Sequence, residues 1–137
     1  MSETSDNTMR KILAFAAVVE VGTGLALMID PAIVVTLLLG ADLSGAGMAL
    51  GRVAGFALLS LGLACWPERQ HAEGGSAAFR AMLIYNVLVA LYLAYLGTVG
   101  HLGGVLLWPA VALHAVVALL LVWTGRDERR TKATNDA

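Results

Sequence analysis

Apolar residues fill this chain in four long blocks, with short polar or glycine-rich breaks between them. The blocks run from about residue 10 to 29, 44 to 66, 77 to 96 and 105 to 123. Each has close to the ~20 residues that an α-helix needs to cross ~30 Å of hydrocarbon. Asp30-Pro31 ends the first block, because proline cannot continue the helical hydrogen bonding. The same pair can start a new helix, with Asp30 as N-cap and Pro31 at the first helical position. That helix covers 31–39 and closes at Gly40. It is too short to span and apolar on most sides, which predicts an interfacial helix. Pro67 ends the second span, and the polar segment PERQHAEGGS follows. Gly97 to Gly104 connect spans 3 and 4, and Gly125 opens a charged tail. The pattern predicts an all-α protein: a four-transmembrane-helix bundle over 10–124 with a short interfacial helix between spans 1 and 2. Residues 1–9 are expected to be a disordered polar tail and 125–137 a charged tail.

Composition agrees. Of 137 residues, 58% are apolar and only 14% charged, against about a quarter charged in soluble domains. Arg10 and Lys11 before the first block resemble a signal-peptide start. The block is long for that role, contains Glu20 and lacks a good cleavage pattern, so a retained span is expected. Apart from Arg52, every Lys and Arg falls on one side of a four-span topology: Arg10, Lys11, Arg69, Arg80, Arg126, Arg129, Arg130 and Lys132. The opposite connectors have none. The positive-inside rule then puts both termini in the cytoplasm. Trp66 and Trp123 fall at the cytoplasmic ends. A formal net charge of −1 argues against nucleic acid as a partner.

Each span carries one strongly polar residue near its middle: Glu20, Arg52, Asn86 and His114. Such groups are costly in a bilayer and usually face a protein interior or a watery cavity. At about 1.5 Å per residue, they lie ~13, ~12, ~15 and ~14 Å from the non-cytoplasmic ends of their spans. The expectation is one inward polar layer, with Glu20 and Arg52 as an ion pair and Asn86 and His114 adding hydrogen bonds. Tyr85 and Tyr92, seven residues apart, are expected on the same inner face as Asn86. These six are the ligand-binding or polar-core candidates; architectural and ligand-lining roles both fit them. His114 reads as a hydrogen-bonded core histidine. His101 is too far along the chain axis to form a bis-histidine haem site with it, and no zinc or di-iron spacing occurs. No metal and no cofactor are expected.

Gly47, Gly51 and Gly55 recur every fourth residue on span 2, a pattern that lets another helix approach closely. Packing within the monomer and homodimerisation both fit it. Cys65, the single cysteine, reads as an inert interfacial residue with palmitoylation as the alternative.

The run PAIVVTLLLG followed by GRVAGFALLSLGLACW, with YNVLVALYLAYLG further on, resembles the DoxX-like and related four-span proteins of bacteria. The likeness covers residues 20–66. It implies an inner-membrane protein with a respiratory-quinone or accessory role, and carries no activity onto named residues. The string EVGT around Glu20 is similar to small multidrug-resistance exporters, which implies a proton-coupled site at Glu20. The exporters' later aromatic motifs are missing. An arginine beside Glu20 would also oppose the reversible protonation that coupled export needs.

Three functions therefore stand: an accessory or interaction protein, in a homodimer or a larger membrane complex; a small-molecule transporter or ligand binder using Glu20; and a membrane enzyme acting on a lipid, quinone or isoprenoid. In the last, Glu20 and His114 are the acid/base candidates.

Overall fold

A computed structural model describes residues 2–66 and 75–135, with side chains over 7–66 and 77–126. It contains five helices and, among the described residues, no strand: α1 (Ser2–Ile29), α2 (Pro31–Leu39), α3 (Gly45–Ala64), α4 (Gly75–Thr98) and α5 (Leu107–Asn135). α1, α3, α4 and α5 are long and apolar enough to cross a membrane. α2 is the short helix between the first two spans. Asp30 caps it, accepting a hydrogen bond from the Ile33 amide, and Gly40 ends it in the left-handed conformation. Ser44 caps α3 through the Gly47 amide.

One expectation about the ends needs correction: residues 2–9 are helical and continue α1. The charged tail is helical as well, since α5 runs through Gly125 to Asn135. Neither stretch contains proline, and a lone glycine costs a helix only ~1 kcal/mol. Most of the connector between α3 and α4, with Arg69 and His71, lies outside the described residues.

The helices form two tight antiparallel pairs, α1 with α3 and α4 with α5, joined mainly through α1 and α5. The first pair meets along glycines. A Cβ on Gly55 would lie 2.7 Å from the Gly24 carbonyl oxygen, and one on Gly62 2.8 Å from that of Ala17. Gly51 faces Pro31 and Gly47 faces Leu43. All three glycines of the every-fourth-residue stripe thus face the chain itself. At the end carrying the termini, Leu13, Ala16, Cys65, Met82, Val117 and Leu121 form the apolar core.

Backbone hydrogen bonds close the opposite end. The amides of Gly103, Gly104 and Leu106 donate to the carbonyls of Leu39, Leu38 and Leu37, at 3.1, 3.2 and 2.9 Å. The last carbonyls of a helix have no partner within it, and here the α4–α5 connector supplies their donors. A Cβ on Gly104 would overlap the Leu37 carbonyl.

Candidate functional site

Three of the four mid-span polar residues meet. Glu20, Asn86 and His114 are all buried, on α1, α4 and α5. Tyr85, one residue before Asn86, hydrogen-bonds to the Glu20 side chain. The His114 ring stands edge-on to Tyr85, with centroids 5.8 Å apart. His114 Nδ1 lies 2.8 Å from Asn86 Oδ1, and Asn86 Nδ2 donates to the Met82 carbonyl at 2.8 Å. That second bond orients the amide: Oδ1 faces the ring, so Nδ1 carries the hydrogen and donates. Tyr85 and His114 therefore link the carboxyl on α1 to the amide on α4 through one aromatic contact. Among the described residues, no buried side-chain nitrogen or oxygen lacks a hydrogen-bond partner.

The expected Glu20–Arg52 ion pair does not form among the described residues, and Arg52 is exposed. The reason is the helix register. Gly55 sits against Gly24 and Met28, and Gly62 against Ala17 and Val21. Carried along α1, these contacts put Glu20 level with the turn from Leu59 to Gly62. Arg52 falls level with the end of α1, ~12 Å away along the axis. Counting depth from span ends assumed that the ends are level. They are not: α3 begins well beyond the end of α1, and its first turns pack on Pro31 and Leu43. Arg52 also sits about 60° round the helix from Gly55, on the exposed flank of the α1 contact.

Tyr92 also departs from expectation. It is 61% exposed and stacks on Tyr95, with centroids 6.5 Å apart. The buried line of α4 runs through Met82, Asn86 and Leu93. Both tyrosines lie beside that line, and only Tyr85 is covered by α1. Exposed Tyr95 and Trp108 lie near one end of the α4–α5 pair and exposed Trp123 near the other, as in the aromatic belts of membrane proteins.

Sequence reasoning misplaced Cys65. It is buried in the core, its thiol 3.7 Å from the Ala78 carbonyl oxygen and within electrostatic reach of Glu20. That burial is incompatible with palmitoylation of the folded protein. His101 is exposed in the α4–α5 connector, apart from the cluster. Among the described residues, no three His, Cys, Asp or Glu side chains group as metal ligands.

Sequence reasoning missed an open groove of about 460 Å³ between α1 and α5. Its lining is apolar except for Thr8 and Lys11, and none of the four mid-span polar residues takes part in it. The arrangement offers two separate things: a saturated polar clasp between three helices, and an open, largely apolar groove beside it. In comparisons with family models, with curated proteins and with solved structures, none matches the chain.

Proposed function

We propose that this chain is a multi-pass protein of the bacterial inner membrane, with both termini cytoplasmic, serving as an accessory or interaction partner in a larger membrane assembly. The placing of the charges carries this reading. The carboxyl of Glu20 is bonded inside the bundle, while Arg52 stands exposed on α3 with no ion pair among the described residues. α3 is the least covered of the four spans. Leu50, Val53 and Phe56 are exposed around Arg52. A cation facing lipid is costly, and an acidic side chain on a neighbouring protein offsets that cost. The likeness of residues 20–66 to the DoxX-like group points the same way.

A photo-crosslinking residue at Phe56, activated in native membranes, tests this. The expected product is one discrete adduct with a different membrane protein, lost on Arg52→Asp. A dimer-sized adduct, or an adduct indifferent to Arg52→Asp, contradicts the reading.

One observation favours a second function, ligand binding or proton-coupled transport at Glu20. Arg52 lies away from Glu20, so the opposition that sequence suggested is absent, and Tyr85 and His114 sit at the same level. Proton release on adding a substrate, abolished by Glu20→Gln, supports this alternative.

A further inference from the structure

The groove between α1 and α5 holds a second, independent feature. Phe15 on α1 and Leu113, Val116 and Leu120 on α5 line it. Thr8 lies at the end nearest the termini, and Lys11 one turn further in. From Thr8 to Phe15 it follows α1 for about 11 Å. Its volume falls within the ~300–1,000 Å³ typical of small-ligand sites. Both walls belong to helices long and apolar enough to span a bilayer, so the groove faces acyl chains. The one charged residue in the lining is a cation one turn from the end where a headgroup would lie, near the start of a span. A lysine there extends its stem along the apolar wall and presents its ammonium at headgroup level.

We propose that this groove is a binding site for one anionic phospholipid. An acyl chain lies between Phe15 and Val116, and the phosphate pairs with Lys11. The occupant follows from charge complementarity: an apolar slot ending in a lysine matches an apolar tail ending in an anion. One lysine at an anionic surface weighs ~1 kcal/mol, about fivefold in retention. The site shares no residue with the polar clasp or with the Arg52 face, so it stands or falls independently of the proposed function.

The test uses the full chain in nanodiscs of equal phosphatidylglycerol and phosphatidylcholine with identical acyl chains. The protein is extracted in mild detergent, and co-purifying lipid is measured by mass spectrometry. Phosphatidylglycerol is expected to be retained about fivefold over phosphatidylcholine. Lys11→Ala removes that preference. Val116→Trp fills the groove and removes retention of both lipids. Arg126→Ala, an exposed cation at the same end but outside the groove, leaves both unchanged. Thermal melts check that each variant is folded. Equal retention of the two lipids by the parent chain overturns the proposal. So does retention unchanged by Val116→Trp in a folded variant, or an equal loss of preference with Arg126→Ala.

Discussion

Gly55→Ala adds a single methyl where α1 and α3 touch backbone to backbone. The new Cβ would lie 2.7 Å from the Gly24 carbonyl oxygen, whereas ordinary contact begins at 3.4 Å. The helices must therefore part by about 0.7 Å, since a backbone oxygen cannot swing aside like a side chain. Overpacking of this kind costs ~1–3 kcal/mol. The helix itself gains ~0.5–1 kcal/mol from replacing glycine. The expected net effect is about 1–2 kcal/mol of destabilisation, read as a Tm lowered by several degrees in detergent. Gly22→Ala is the control. No atom lies within 4 Å of its Cβ position, so only the propensity gain remains and Tm holds or rises. The contrast separates contact from composition, because both changes are Gly→Ala in a membrane span. If Gly55→Ala melts at or above Gly22→Ala, the α1–α3 register is wrong, and the placing of Arg52 away from Glu20 falls with it.

Two further outcomes follow from other contacts. Asn86→Leu leaves the buried His114 Nδ1 hydrogen without its acceptor, and should lower stability by about 1–2 kcal/mol in a detergent melt, near the upper range for interhelical polar bonds in membranes. Tyr92→Ala, at an exposed position, should change Tm far less. Gly104→Val cannot keep the amide donor close to Leu38, and should speed hydrogen exchange at the Gly103 to Leu106 amides while leaving those around Asn86 protected; equal exchange across both regions would refute the backbone closure.

The four spans and the short helix were legible because long apolar runs and Asp30-Pro31 act locally. The polar layer was legible for Glu20, Asn86 and His114, since each must be shielded from lipid. It failed for Arg52 because depth counted from span ends takes those ends as level, and the offset of α3 depends on where Pro31 packs. That is a tertiary fact. Tyr85 and Glu20 were both named, but their pairing needed the knowledge that α1 and α4 run parallel at matched depth. The closure of α2 by the α4–α5 connector leaves only glycines in the sequence, because its donors and acceptors are backbone. The α1–α5 groove leaves no periodic signal at all.

Glu20 is held by Tyr85 inside the bundle and is independent of Arg52. Two double-mutant cycles on thermal or denaturant stability test this: Glu20→Met, which removes the acceptor, with Tyr85→Phe, and Glu20→Gln, which removes the charge, with Arg52→Gln. The expected coupling is about 0.5 kcal/mol or more in the first cycle, with additivity within ~0.3–0.5 kcal/mol in the second. Additive behaviour for Glu20 with Tyr85, and clear coupling for Glu20 with Arg52, would contradict it.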